Sequence, residues 1–287
     1  MNIIEYENVR SFFNAVEPFL SGDEVVHNLP LGLLASLAGR DATGADEQPY
    51  MALVEENGAV QLVLLMTSGQ NLILAGENHP EALAAAADHL SANGPDIPGV
   101  IGVADLAEAF ADRFSLRTGL EATVRMRQRI YRLDRVETMG NASGFLRVAT
   151  EDDVEIIGRW LIDFEKEALG LSTSEEEARI RAERGVKDGS IHIWDDGGPV
   201  SMAKRSRPTR RGIVINMVYT PPERRGRGYA TSGVAALSQK CLDDGYDFCS
   251  LYTDLNNPTS NGIYQKIGYR PVADSLVYAF DRKPILK

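Results

Sequence analysis

The segment Met217-Val218-Tyr219-Thr220-Pro221-Pro222-Glu223-Arg224-Arg225-Gly226-Arg227-Gly228-Tyr229-Ala230-Thr231 constrains this chain more than any other. An apolar run ends there at a proline pair, which cannot extend a strand ladder. A basic, glycine-spaced turn follows and opens a stretch that reads as a helix, running to Asp244 and capped by Gly245. Gly226 and Gly228 permit close backbone approach, and Ala230 keeps the first helical turn free of bulk. The unpaired N–H groups of that turn face outward with the positive end of the helix dipole behind them. Such a turn is a cradle for a pyrophosphate, and Arg225 and Arg227 add positive charge beside it. No GxxxxGK[ST] is present. GxGxxG is broken at Thr231, and no acidic residue ends a second parallel strand about 20 residues on.

The pattern around this segment predicts an α/β domain with a mixed sheet. Phe145–Ala149 reads as a strand and 152–168 as a helix, with Thr150 and Asp153 close to a capping box. Its apolar face is Val154, Ile157, Leu161 and Phe164. A charged helix over 174–187 and strands over 190–195, 200–207 and 212–220 follow. Beyond the glycine turn come a helix, a strand over 248–253, a short helix over 259–267 and a final strand over 272–280. The first half alternates similarly. A helix is expected over 9–19, strands over 50–55, 60–67 and 71–75, and helices over 80–90 and 104–118. Turns fall at Asn57-Gly58 and Ser68-Gly69, and a strand includes 127–133. The polar stretch Glu137 to Gly144 separates the halves, giving domains at 1–140 and 141–287.

Charge divides at the same place. Residues 1–140 hold 9 basic and 20 acidic side chains, and the rest hold 21 of each, so the net charge of −11 belongs to the first half. That argues against nucleic acid as its partner. In the second half Lys204, Arg205, Arg207, Arg210, Arg211, Arg224, Arg225 and Arg227 cluster around the glycine turn. Cys241 and Cys249 read as buried core thiols. The histidines His27, His79, His89 and His192 form no ligand spacing, so no metal is expected. No apolar run approaches the ~20 residues of a membrane span, and the first residues lack a signal-peptide pattern, so a cytoplasmic location without membrane attachment is expected.

Arg225-Gly226-Arg227-Gly228-Tyr229-Ala230 resembles the R/Q-x-x-G-x-G/A motif of the GCN5-related N-acetyltransferase (GNAT) family. Asn257-Pro258-Thr259-Ser260-Asn261-Gly262-Ile263-Tyr264-Gln265-Lys266-Ile267-Gly268-Tyr269 resembles that family's NPxxxxxYxxxGF/Y signature. The resemblance covers about residues 144–280. It implies a mixed, mostly antiparallel sheet with flanking helices, and an acetyl-CoA-dependent transfer to a small-molecule or peptide amine. The backbone of Val218, Tyr219 and Thr220 would lie along the pantetheine arm, with Val218 and Thr220 pairing with it. The N–H groups from Arg225 through Gly226, Arg227, Gly228, Tyr229 and Ala230 to Thr231 would hold the pyrophosphate. Asn257 would hydrogen-bond the pantetheine, and Tyr264 would protonate the leaving thiolate.

The departure from the family lies at the general base, because Asn216 stands where many members offer a carboxylate. Glu165, Glu167, His192 and Asp254 are the other candidates. The first half carries no such motif. At the equivalent place it reads Ala75-Gly76-Glu77-Asn78-His79-Pro80, so it resembles a degenerate copy of the same fold or an unrelated accessory domain. Other readings are a CoA-binding sensor or pseudoenzyme, and a tandem transferase using an aminoacyl donor. Self-association as a homodimer is left open.

Overall fold

The computed structural model describes residues 1–39 and 48–282, so 283–287 of the second predicted domain lie outside the described residues. The chain forms two compact units, neither contiguous in sequence. One comprises residues 1–130, 253–256 and 271 onward; the other comprises 131–252 and 257–270.

In the first unit, β1 (Asn2–Glu5) leads into α1 (Val9–Leu20) and α2 (Asn28–Ala38). Next come β2 (Tyr50–Glu56), β3 (Ala59–Met66), β4 (Leu72–Gly76), α3 (Pro80–Asn93), β5 (Gly99–Val103), α4 (Ala104–Thr118) and β6 (Glu121–Leu133). Neighbouring strands from β1 to β4 are antiparallel, and β4 pairs in parallel with β5, Leu72 opposite Val100. The C-terminal strand Arg270–Asp281 completes this sheet, pairing antiparallel with β5 from Ser275↔Val103 to Ala279↔Gly99. Both sheet faces are covered, which is why β2 and β3 read as continuous apolar runs rather than alternating ones. Met51, Leu53, Val63 and Leu65 join α1 and α2 in one core, whereas Ala52, Val54, Leu62 and Leu64 join α3 and α4 in the other.

Three of these elements escape a pattern-based reading. Helix α2 carries Pro30 in its first turn, β1 is short and half polar, and β5 is glycine-rich. The second half of the chain follows the same order: β7 (Phe145–Val148), α5 (Val154–Leu169), α6 (Glu175–Lys187), β8 (Ile191–Asp195), β9 (Pro199–Ser206), β10 (Gly212–Tyr219), α7 (Tyr229–Asp243), β11 (Phe248–Asp254), α8 (Pro258–Ile267) and finally β12 (Arg270–Asp281), the strand that joins the first unit. The second unit's strand order is β11-β10-β9-β8-β7. Again the pair that straddles the central helix, β10 and β11, is parallel, whereas neighbouring strands from β7 to β10 are antiparallel. The protein is thus a tandem repeat of one α/β plan.

A capping box of Thr150 and Asp153 starts the turn before α5. Asp153 is buried against Arg147 of β7, at 2.6 Å, which also bonds Asp195 of β8 at 2.8 Å. Ile213, Ile215, Cys249 and Leu251 face α7 and α8, and the alternate side of the sheet packs on α5 and α6.

Candidate functional site

Strands β10 and β11 run side by side only from Gly212↔Phe248 to Val214↔Ser250, although both continue further. On its other edge β10 carries a bulge between Asn216 and Tyr219, where Met217 holds a φ of 50°. Left-handed backbone at a non-glycine residue is costly and persists only where its surroundings enforce it. The bulge and the divergence leave the backbone of Val218 to Thr220 beside an opened gap. No pattern of polarity announces the bulge, so it was not legible in the sequence.

Beyond β10 a 3₁₀ turn, Pro222–Arg224, uses the N–H of Arg225 as donor to Pro222 O. The cradle of unpaired donors therefore begins at Gly226, one residue later than the motif suggests. Gly226 and Gly228 have φ of 77° and 79°, and a Cβ at Gly226 would meet nothing within 4 Å. The backbone there is open to a ligand. Gly228 is the N-cap of α7, which has no side-chain cap and no acidic residue in its first turn. Among the described residues, no acceptor is bonded to the N–H groups of Gly226 through Thr231.

The same place in the first unit is built oppositely. His79 caps α3 by accepting from the Ala82 N–H at 3.4 Å, and Glu81 adds negative charge to the first turn. Its donors are thus partly satisfied, and an anion would meet a carboxylate.

Side chains of the motif divide their work. The Arg225 guanidinium donates to Thr220 O at 2.8 Å and to Glu167 at 2.6 Å, so it braces the loop rather than pointing free charge at a ligand. Tyr229 is buried, with its hydroxyl donating to Asp196 at 2.6 Å. That bond and one from Ser143 hold the Asp196 carboxyl below the usual range. Arg227 is exposed. Behind the turn, Ala142 N–H donates to Ser232 Oγ at 3.1 Å, and a Cβ on Gly228 would lie 3.8 Å from Ala142. The stretch that reads as a linker thus supports the cradle.

Val218 and Ala230 meet in one cleft with His192 and Ser201. His192 is buried, with Nδ1 on Ser190 O at 3.3 Å and Nε2 unpartnered, and burial pushes its pKa down. Asn257 caps α8 by accepting from Ser260 N–H at 3.0 Å, which leaves its amide N–H₂ for a ligand. Tyr264, 8% exposed, belongs to the apolar cluster on the α7 side of β10 and β11, edge-on to Tyr269. Its hydroxyl has no hydrogen-bond partner among the described residues, and burial pushes the phenol up to about 12.

The other candidates for a base are engaged or face elsewhere. Glu165 bonds Thr173 and pairs with Arg181 at 2.6 Å. Glu167 is held by Arg225, His192 faces α7, and Asp254 accepts from Asn256 N–H at 2.8 Å. Asn216 lies on the opposite sheet face, with its Oδ1 buried and unpartnered.

An α/β plan repeated in tandem, with a bulged strand, a diverging parallel pair and a glycine-opened helix in its second copy, is the fold of GCN5-related N-acetyltransferases. Residues 199–277 match the family model described as FR47-like protein. Among solved structures, a GCN5-related N-acetyltransferase from Sphaerobacter thermophilus aligns at 16% identity and a TM-score of 0.62, over 99% of this chain and 97% of that one. An acetyltransferase of the GNAT family from Colwellia psychrerythraea aligns at 11% and 0.59, over 98% and 100%. A tandem GNAT protein from the clavulanic acid biosynthesis pathway aligns at 12% and 0.54, over 99% of both chains. No curated protein matches the sequence. The chain thus has the fold of the GNAT acetyltransferases in its tandem form, with the family-model match confined to 199–277. Among the described residues there is no group of side chains suited to a metal ion, and no helix is long and apolar enough to cross a membrane.

Proposed function

We propose that the chain is an N-acetyltransferase in which 141–287 is the catalytic domain and 1–140 an accessory copy that does not bind CoA. The observation that carries this is the uncapped, acid-free N-terminus of α7 with its paired left-handed glycines, set beside the diverging β10 and β11. When bound, acetyl-CoA supplies the activated acyl group. The N–H groups of Gly226 to Thr231 hold its pyrophosphate, and Arg227 adds charge. The backbone of Val218 to Thr220 fixes the pantetheine like an added strand, helped by the Asn257 amide. Tyr264 donates its phenolic proton to the CoA sulfur. In this reading the amine arrives neutral or loses its proton to water, since Asn216 cannot accept one. The protein acts in the cytoplasm on a small-molecule or peptide amine, without metal, nucleic acid or membrane.

The missing carboxylate at Asn216 also favours a second reading, a CoA sensor that binds without turning over. Melting curves with acetyl-CoA and thiol release with an amine panel test both. A saturable rise in melting temperature is expected, about 2.7 kcal/mol of added stability at 100 times the dissociation constant. No rise removes the cofactor assignment, and a rise without thiol release from any amine establishes the sensor.

A further inference from the structure

The face of the second unit's sheet away from α7 carries polar groups that nothing in the unit satisfies. Ser206 lies opposite Val214, and Val214 opposite Ser250, so these residues share one face across β9, β10 and β11. Asn216 follows two residues along the same face, and Tyr252 follows Ser250 likewise, because their neighbours Ile215 and Leu251 belong to the α7 side. Asn216 and Tyr252 therefore flank the place where β10 and β11 part. Ser206 Oγ, Ser250 Oγ and Asn216 Oδ1 are all buried without a hydrogen-bond partner.

Over this face lies Arg207. β9 ends at Ser206, and Arg207 takes a left-handed φ of 47°, which turns the chain out of the strand. Its guanidinium carbon stands 5.7 Å from the Tyr252 ring centroid. Nε is buried and unpartnered, and among the described residues no carboxylate pairs with this arginine. Arg207 is half-buried, and a cation drawn partly out of water without a counter-ion is costly; strained backbone of this kind also collects at ligand sites. Burial holds the Arg207 pKa down, but an arginine does not neutralise in the working range, so its charge awaits an anion.

We propose that Arg207, with Ser206 and Ser250, forms an acceptor subsite for a carboxylate, so that the amine substrate is an amino acid. The subsite rests on the acetyltransferase reading above, which brings the thioester to the gap from the α7 side and leaves this face for the acceptor. A guanidinium fork matches a carboxylate in two parallel hydrogen bonds. Asn216 Oδ1, an acceptor, faces the amine N–H.

The test compares wild type with Arg207→Met, which keeps length and ring contact but removes charge and donors. Acetyl-CoA affinity is measured first on both. It is expected to be equal; loss in the variant alone would mean that Arg207 serves CoA and would overturn the subsite, whereas no binding by either removes the parent reading. Melting of the ligand-free proteins is the second readout. The variant is expected to melt higher, since a half-buried charge without a counter-ion is gone; a lower value marks Arg207 as a structural anchor and overturns the proposal. Third, L-amino acids and their matched amides are titrated into the free and the CoA-loaded protein, with thiol release followed from acetyl-CoA. Acids should raise the melting temperature of wild type, and turn over at least about a hundredfold faster than amides, because buried donors are left unpaired by the amide. Arg207→Met should abolish both preferences. Equal response to acids and amides in wild type, whether in binding or in rate, overturns the proposal.

Discussion

Tyr264 shows how one side chain serves two demands. Its ring fills the core between β10, β11 and α8, while its hydroxyl is left without a partner. Tyr264→Phe therefore removes a proton donor without emptying space or breaking a hydrogen bond. Turnover should fall by roughly 10²–10⁴-fold, the range for a general acid, with acetyl-CoA affinity and neutral-pH melting temperature nearly unchanged. An unaffected rate would reduce Tyr264 to a core aromatic. The pH dependence is a second check. Burial raises the phenol from 10.0 to about 12, so the native protein retains its proton where the unfolded chain has begun to release it. That contribution to stability is complete below about pH 10 and is lost as pH rises through about 12. Comparison of alkaline melting curves should show a shallower decline for Tyr264→Phe over this window.

At the scale of the element, α7 and α3 occupy equivalent places in the repeat and differ at their first turns. Gly228 leaves α7 uncapped, whereas His79 and Glu81 fill the corresponding positions of α3. Uncapped donors cost helix stability, and are retained where a ligand satisfies them. Gly228→Val places a β-branched residue at a φ of 79°, a region that costs roughly 1–2 kcal/mol for residues with a Cβ. The side chain would also press on Ala142 and Asn141, which support the turn. The variant should lose the acetyl-CoA-dependent rise in melting temperature while its ligand-free form melts only a few degrees lower. A retained rise would place the phosphates elsewhere. The motif itself was legible in the sequence, since glycine spacing and basic charge are local properties. The N–H of Arg225, spent on Pro222, and its guanidinium, spent on Thr220 and Glu167, were not legible, because they follow from how the loop folds back.

For the whole molecule, the consequential feature is the exchange at the chain's end. β12 belongs by sequence to the second copy, yet Leu276, Tyr278 and Phe280 complete the core of the first unit beside β5. Conversely, Tyr131 and Leu133 from the end of β6 lie in the core of the second. Leu276→Ala should accordingly cost roughly 2–5 kcal/mol, as large-to-small core changes do. Hydrogen exchange should show the loss in β5 and its neighbours in the first unit. Weakened protection confined to β7 through β10 would contradict this assignment of β12.

These scales separate what the sequence determined from what the tertiary structure decided. Apolar periodicity, glycine turns and prolines placed most helices and strands, and the glycine–arginine motif located the cradle, because hydrophobic patterning and φ preference act within a few residues. The bulge at Met217, the parting of β10 from β11, the unpartnered charge of Arg207 and the passage of β12 into the first unit depend on contacts between residues far apart in the chain. Local pattern cannot encode them. A strand's period fixes which face a side chain takes, but only the packed sheet decides which partner stands opposite it, and which polar group is left with none.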